Sequence, residues 1–407
     1  MASIRELSAA SLLKIARASF SKISSLECFD LYVLNKFFDG GCFNLSGDEI
    51  KDVELAILLP ASADKVGNRQ FDHARKFLNL CDFLSSNAGN SIQRVVYYFS
   101  KALRERIDGE TGATSSKARE SREGELSHPD ETIVSLNRAL IACFLKLPFI
   151  QVTQFSGLQA IIENVASAKK VHFVDLAIRS GAQCTALMQA LATRDECPIE
   201  LLKITAVGTT SQTKMQATDL KDISEDIFEL NDGEAVVIGS RTLLRHTLTQ
   251  PDCLESIIRM LKNLNPWIVV VKEFEVNHTS PIFVERFSEA LSFYTAFFYC
   301  HEDCMDRCDQ NRRILEAAYL GQEIQNIVAA KDEDRIFRDM KIEAWRTNLV
   351  AKQFAPGNSC ACYRNGQSLV VNLKETPILS LCDKGETYYC ARVQFGMTKE
   401  VRKSSLQ

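Results

Sequence analysis

The stretch VHFVDL at residues 171–176 decides the fold class of this 407-residue chain. It is short and mostly apolar, and it ends near Asp175, after which a turn containing Gly181 leads into a helical segment at 182–192. A buried strand, a turn and a helix in this order are typical of a βα unit in a parallel sheet. The stretch therefore predicts an α/β core.

Three more short apolar runs follow this strand along the chain. They are LLKITAV at 201–207, AVVI at 235–238 and WIVVV at 267–271, with helical segments such as 182–192 and 254–264 between them. Alternating strands and helices favour a parallel sheet with right-handed crossovers. We predict a Rossmann-like α/β core.

The N-terminal part of the chain predicts helices. Apolar residues recur at helical spacing from Phe71 to Cys81, and a second helix is expected to begin at Ser91. The apolar stripe of this second helix consists of Ile92, Val95, Val96, Phe99, Leu103 and Ile107. Pro60 is expected to kink or end the helix that contains it. This pattern predicts a helical cap before the core.

The segment at 108–131, DGETGATSSKARESREGELSHPDE, separates these two parts. It contains almost no large apolar residues, so little burial would offset the entropy of ordering it, and we expect a mobile linker. The predicted division is 1–107 for the N-terminal segment and cap, 108–131 for the linker, 132–381 for the α/β core and 382–407 for an atypical tail.

Composition restricts the function classes. A formal net charge of −4 and a pI near 6.0 argue against a broad basic face, so we expect no direct high-affinity DNA binding. No apolar run reaches the roughly 20 residues that span a bilayer, and the N-terminus lacks a secretory signal, so no membrane is expected. The 14 scattered cysteines favour a reducing compartment.

Metal and cofactor sites are not predicted. Cys300, Cys304 and Cys308 repeat every four residues near His301, but structural zinc usually takes closer pairs of cysteines, and we favour buried thiols. The turn after Asp175 has a single glycine, Gly181, where nucleotide-binding folds use several. The alternative is a site for S-adenosylmethionine at this turn.

Catalytic residues are not predicted either. His172 lies within a strand and is expected to be a satisfied core histidine rather than a base. Glu273 and Glu275 could do acid–base chemistry, but a polar strand end or a contact with a helix N-terminus is favoured. A cluster of basic and aromatic residues, Arg335, Arg338, Trp345 and Arg346, is interrupted by Asp332, Asp334, Asp339 and Glu343, which favours a solvated mixed-charge face over nucleic-acid binding.

Longer segments resemble one plant protein family. GNSIQRVVYYFSKALRERI at 89–107 resembles the end of the first leucine-rich region of GRAS proteins, and the segment at 148–176 resembles the approach to their VHIID motif. The segment at 265–294 is similar to the PFYRE region, and 335–346 to the RVER-type stretch. Because these segments stand in family order, the chain is identified as a GRAS-like, DELLA-like protein.

The resemblance implies residue roles. Val171, His172, Phe173, Val174 and Asp175 match the VHIID-like motif, and Arg335, Arg338, Trp345 and Arg346 match the RVER-like one. The stripe of Ile92, Val95, Val96, Phe99, Leu103 and Ile107 becomes the candidate partner-binding element, with packing on the core as the equal alternative.

The resemblance also implies a fold and a function. GRAS proteins have a methyltransferase-related core with a helical cap and no known catalysis, and they regulate plant genes in the nucleus by binding other transcription factors. Homo- or hetero-dimers with GRAS proteins are a second partner type. After Gly208 the chain is short of a helix and strand, and the closing SAW motif is absent. A methyltransferase-like enzyme and a degenerate paralogue are therefore the alternatives.

Overall fold

The computed structural model describes residues 47–112, 129–178, 180–207, 225–249 and 251–341, and three strands between 368 and 395. The chain divides into two compact units: Met1–Thr132 with Ser280–Asp332, and Ile133–Thr279 with Glu333–Gln407. The division predicted from the sequence placed 280–332 in the core, whereas here these residues group with the N-terminal helices. Residues 113–128 of the predicted linker lie outside the described residues.

The helices and strands of the described residues are as follows. The helices are α1 (Gly47–Gly67), α2 (Phe71–Leu84), α3 (Ser91–Thr111), α4 (Pro129–Lys146), α5 (Pro148–Asn164), α6 (Ala182–Ala192), α7 (Leu244–Thr247), α8 (Pro251–Asn263), α9 (Phe283–Cys304), α10 (Gln310–Leu315) and α11 (Gln322–Val328). The strands are β1 (Lys170–Asp175), β2 (Leu201–Ala206), β3 (Ala235–Arg241), β4 (Ile268–Phe274), β5 (Ser368–Leu373), β6 (Thr376–Asp383) and β7 (Val393–Phe395).

Helix α3 begins at Ser91, as predicted. The side chain of Asn90 accepts a hydrogen bond from the Gln93 N–H at 3.0 Å, which satisfies one of the free donors at the helix N-terminus. Gly112 ends the helix with a φ of 70°, a left-handed conformation that glycine adopts without steric cost. The sequence therefore specifies both ends of this helix.

Pro60 does not end the helix that contains it, contrary to that alternative of the prediction. Helix α1 runs through Pro60 to Gly67. The residues around it, including Leu58, Leu59 and Ala63, are buried. Burial of these side chains offsets the backbone hydrogen bond that proline removes.

The second unit contains a mixed sheet in the order β2-β1-β3-β4-β6-β5-β7, counted over the described strands. Strands β2, β1, β3 and β4 are parallel, and all four were predicted from the sequence. Residues 171–175 of β1 are buried throughout, because a parallel sheet covered by helices is apolar on both faces. The predicted class, an α/β Rossmann-like core with an N-terminal helical region, is confirmed.

The far side of the sheet is antiparallel. β6 pairs antiparallel with both β4 and β5, so β5 and β6 form a hairpin. Within the predicted atypical tail, β7 adds a short strand parallel to β5. Residues 208–224, where the sequence is short of an element, lie outside the described residues.

Helices cover both faces of the parallel strands. On one face α8 packs Cys253, Ile257 and Leu261 against Val174, Ile238 and Val269. On the other face α5 and α6 carry Gln154 and Gln183 towards β4. Over the part of the chain described, no single helix is long and apolar enough to cross a bilayer, and only the bent pair Val134–Lys146 and Pro148–Asn164 meets that test by length and composition.

Candidate functional site

The carboxyl ends of β1 and β3 form the topological switch point of the sheet. The chain passes from β1 to β2 on one side and then to β3 on the other, and Asp175 pairs with both Ala206 and Gly239 in the register. Doubly wound folds bind their ligands in the crevice at such a point. The residues at this edge are therefore the candidates for a ligand-binding site.

Polar side chains of the protein itself meet at this edge. The Lys272 Nζ donates to Oε1 of Gln154 at 2.8 Å and lies 3.4 Å from Oε1 of Gln183. Gly157 of α5 makes this approach possible, because a Cβ atom there would lie 2.7 Å from the Lys272 Cε. Gln183, in the first turn of α6, thus lies beside a lysine of β4.

The pKa of the Lys272 amine is lowered in this environment. Burial, together with the nearby Arg241 guanidinium, lowers the pKa of Lys272 to about 7, and the Asp175 carboxylate opposes this shift. The side chain is buried. Lys272 thus has two carboxamides of its own chain within hydrogen-bonding reach and is an internal group with polar partners.

The VHIID-like residues form β1. Val171, Phe173 and Val174 are core residues, and His172 is fully buried. His172 Nε2 lies 2.8 Å from the Thr205 hydroxyl, and Nδ1 lies 3.3 Å from the Glu234 carboxylate. Burial and the charge of Lys203 lower the pKa of His172. His172 is thus a core histidine, as the sequence favoured, with a polar group near each ring nitrogen.

Asp175 closes the motif at the strand end. Its Oδ1 accepts a hydrogen bond from the Ala177 N–H at 3.1 Å, which turns the chain out of β1. Helix α6 then begins after Gly181, whose φ is 71°. The carboxylate therefore has a structural role in the turn, independent of any ligand.

A second polar cluster, which we call the Asp339 cluster, consists of Arg245, His278, Arg335 and Asp339. The Asp339 Oδ2 lies 2.8 Å from both Arg245 Nη2 and His278 Nδ1. Arg335 Nη1 donates to the His278 carbonyl at 2.7 Å. All four side chains are buried. The cluster binds the extended segment at 335–339 to the end of β4.

The charge of Asp339 is preserved in this environment. Burial alone would raise its pKa, but Arg245 and His278 outweigh burial, and the pKa of Asp339 lies below its usual value. An ionised carboxylate only accepts hydrogen bonds, so the His278 Nδ1 carries the proton between them. Arg245 also stacks on Phe337, with its guanidinium carbon 3.7 Å from the ring centroid.

Glu273 contacts the start of a helix, as the sequence favoured. Its Oε1 accepts a hydrogen bond from the Leu244 N–H at 2.9 Å, at the beginning of α7. Burial raises the pKa of Glu273 to about 8, against the opposing effects of this hydrogen bond and of Arg245. Glu275, which follows β4, is also buried. At neutral pH Glu273 is mostly protonated.

The prediction of a solvated mixed-charge face is wrong for Arg335 and Asp339, whereas Asp332 and Asp334 are exposed as predicted. Arg335, Phe337 and Asp339 are buried, whereas Asp334 and Ile336 are exposed. This period-two alternation, typical of an extended segment with one buried side, was the signal that could have identified the buried charges. Arg338 is half-buried. Trp345 and Arg346 lie outside the described residues.

The candidate partner-binding stripe lies inside the first unit. Its members Val95, Val96, Phe99, Leu103 and Ile107 are buried, and Ile92 is half-buried. The Phe99 ring packs edge-on against Phe287 with centroids 5.4 Å apart. Burial favours the alternative in which this stripe packs within the protein, and its role in partner binding stays a prediction.

A buried ionic cluster follows the same helix. Arg94, Arg312 and Glu316 have no exposed side-chain surface, and Arg94 Nε lies 3.1 Å from the Glu316 carboxylate. Arg94 also pairs with Glu302, which is 31% exposed. Glu316 opens the π-helical turn Glu316–Gly321 between α10 and α11. This cluster was not predicted from the sequence, since Arg94 lies 208 residues before Glu302 in the chain.

The strand order and the self-paired polar groups at the switch point define a Rossmann-like α/β protein. Its fold is similar to the crystal structure of SCL7 from Oryza sativa, with a TM-score of 0.58 at 22% identity over 76% of this chain and 93% of that chain. The model of the GRAS domain family matches residues 55–222 and 213–372. The chain belongs to the GRAS domain family.

Curated relatives are DELLA proteins of plants. DELLA protein GAI1 of Vitis vinifera is 27% identical over 335 residues, which is 75% of this chain and 54% of that protein. DELLA protein RGL3 of Arabidopsis thaliana is 28% identical over 331 residues, which is 75% of this chain and 60% of that protein. The chain thus matches little more than half the length of these relatives.

Proposed function

We propose that this chain is a nuclear regulator of plant transcription that acts by binding other transcription factors, and not as an enzyme. Membership of the GRAS family and the likeness to DELLA proteins support the regulatory class. Homo- or hetero-dimers with other GRAS proteins belong to the same proposal. The protein does not grip DNA phosphates itself, consistent with its net charge of −4.

The contact of Lys272 with Gln154 is the single observation that carries the non-enzymatic part. It lies at the switch point, where a related enzyme would bind its cofactor. A methyltransferase uses small residues there so that the backbone can approach S-adenosylmethionine. Here buried side chains satisfy one another, and a ligand would have to displace a hydrogen-bonded lysine.

Two measurements test this function. The first is the melting temperature of the protein with and without millimolar S-adenosylmethionine, where we expect no change. A ligand at a hundred times its dissociation constant stabilises the native state by about 2.7 kcal/mol, so specific binding would be visible. A clear rise would favour the methyltransferase-like alternative.

The second measurement is affinity capture of partners from plant nuclei, followed by mass spectrometry. We expect transcription factors and GRAS proteins to be enriched over a capture with an unrelated Rossmann-like protein as the control. Recovery of no transcription factor above that control would refute the proposed mechanism and favour a degenerate paralogue.

A further inference from the structure

One face of helix α4 carries an exposed stripe of three apolar residues and one arginine. We call it the α4 stripe, and its members are Val134, Arg138, Ile141 and Leu145. Its three apolar members are 56%, 43% and 64% exposed. Successive members are four, three and four residues apart, so at 3.6 residues per turn they fall within a sector of about 60°. They therefore form one continuous line on the helix surface.

The rest of α4 is already used for packing. Leu136, Ala139 and Cys143 are buried on the opposite side of the helix, and Ala142 is buried beside them. Single exposed apolar side chains are ordinary on protein surfaces. Here three of them align over about 16 Å of one helix, with Arg138 among them, and form a line that a partner helix could cover.

We propose that the α4 stripe is the docking site for an acidic amphipathic α-helix of a partner protein. This inference rests on the proposed function, since it specifies a surface by which the regulator binds a partner. Side chains spaced four, three and four residues apart form a ridge on the helix surface. A second helix of about three turns can pack against this ridge, with its own apolar side chains on either side of it.

Charge determines the chemistry of the partner. Between Val134 and Lys146 the only charged residues are Arg138 and Lys146, and both are exposed. Arg138 stands in the middle of the α4 stripe, between Val134 and Ile141. A docked helix would bury its guanidinium beside apolar groups, so the helix must supply a carboxylate at that position.

A lipid surface fits the same residues less well. Helices that lie on membranes place their cations on the polar face, above the headgroup boundary, and keep the apolar face free of charge. Arg138 lies on the apolar line itself, so insertion of Ile141 and Leu145 into acyl chains would carry the guanidinium with them. A protein helix avoids this cost by pairing the charge.

The test uses a synthetic helical peptide as the probe. The peptide has leucines spaced four, three and four residues apart with glutamates on both flanks, and a second peptide has lysine in place of each glutamate. Fluorescence anisotropy measures the binding of each peptide to the full chain. We expect the glutamate peptide to bind, and the Ile141→Glu and Leu145→Glu variants to weaken it by about tenfold or more.

Two further variants make the result specific. Arg138→Glu should reverse the preference, so that the lysine peptide binds better than the glutamate peptide. Gln189→Glu, at an exposed position of α6, adds a negative charge outside the α4 stripe and should leave binding unchanged. Because these side chains are exposed, all variants should melt at the wild-type temperature.

Three outcomes would overturn the inference. They are no binding of the glutamate peptide to the wild-type protein, equal binding by Ile141→Glu, and equal binding of the two peptides. Co-sedimentation with phosphatidylserine vesicles that Ile141→Glu abolishes, without peptide binding, would assign the stripe to a membrane instead. Nuclear capture separates the two proposals, since transcription factors retained by both wild type and Ile141→Glu would refute the stripe and leave the proposed function standing.

Discussion

His278 and Asp339 are joined by a buried contact of 2.8 Å between Nδ1 and Oδ2, across 61 residues of sequence. The same carboxylate oxygen lies 2.8 Å from the Arg245 guanidinium. One acidic group thus neutralises the cation that follows β3 and fixes the loop that follows β4. The stability of the second unit should depend on this single carboxylate.

Replacing Asp339 by asparagine should destabilise the protein strongly. The substitution removes the carboxylate that pairs with the buried Arg245, and breaking a buried ion pair in this way costs about 3–5 kcal/mol. Urea denaturation measures the loss as a lower midpoint. Asp334→Asn, at an exposed position in the same segment, is the matched control and should shift the midpoint little. Equal effects of the two variants would show that the Asp339 cluster does not stabilise the fold.

Glu273 should make the protein less stable as the pH rises. Its pKa in the folded protein is about 8, against 4.5 for an unperturbed glutamate. Between these values the unfolded chain has released the proton and the folded protein has kept it, so stability falls as pH rises, by about 1.4 kcal/mol per unit at most. The Glu273→Gln variant lacks this loss.

Denaturation of both proteins at several pH values between 5 and 8 measures this effect. The free energy of unfolding of Glu273→Gln should increase relative to that of the wild type as the pH rises. Glu255→Gln, at a glutamate that is 60% exposed, provides the control and should follow the wild type. A constant difference between Glu273→Gln and wild type would contradict the raised pKa.

Lys272 should act in the opposite direction. Its folded pKa of about 7 lies below the 10.5 of an unperturbed lysine. As the pH falls from 10.5 to 7, the unfolded chain gains a proton that the folded protein does not, and stability declines. Lys272→Met keeps a similar shape without a titrating group. Its free energy of unfolding should therefore increase relative to that of the wild type as the pH is lowered.

Chemical denaturation between pH 7 and 10 measures the difference. Lys101→Met, at an exposed position of α3, is the control for removal of a lysine and should show no such trend. If Lys272→Met tracks the wild type across this range, the amine is charged in the folded protein, and the switch point is more open than its hydrogen bonds indicate.

Sequence patterns predicted the strands but not the polar contacts between them. β1 and the first residues of β4 are nearly continuous apolar runs, because both faces of a parallel strand are covered by helices. The run stops at Val271, so the sequence placed the end of β4 there, whereas the strand continues to Phe274. Lys272 and Glu273 interrupt the apolar pattern although both are buried.

Their partners explain why this was not predictable. Lys272 pairs with Gln154, which lies 118 residues earlier, and Arg245 pairs with Asp339, 94 residues later. Periodicity reports the local environment of a residue, and it contains no information on which distant polar group will satisfy a buried one. Periodicity likewise did not separate the two alternatives for the stripe of α3, because an apolar face is equally suited to packing within the chain and to binding a partner.

Glu316→Gln should destabilise the first unit more than Glu302→Gln. Glu316 is fully buried between Arg94 and Arg312, so its loss leaves two buried guanidinium groups short of charge. We expect a cost of about 3–5 kcal/mol for this variant. Glu302 is 31% exposed, and water can replace part of its contribution. Urea denaturation ranks the two variants, and a larger effect for Glu302→Gln would reverse the assignment of the central carboxylate.

The hydrogen bond from Arg335 to the His278 carbonyl has a consequence for the modular organisation of the chain. The chain leaves the second unit after Thr279 and returns to it at Glu333. The hydrogen bond between Arg335 and His278 therefore keeps the point of exit and the point of return close together. Ser280–Asp332 is therefore an insertion into the chain of the second unit, and its two ends lie near each other. A short linker could bridge the gap without stretching the sheet, whereas the helices at 47–112 would lose the α9 surface that covers Phe99. Exchange of this insertion between relatives would therefore have to include the helices at 47–112 that pack against it.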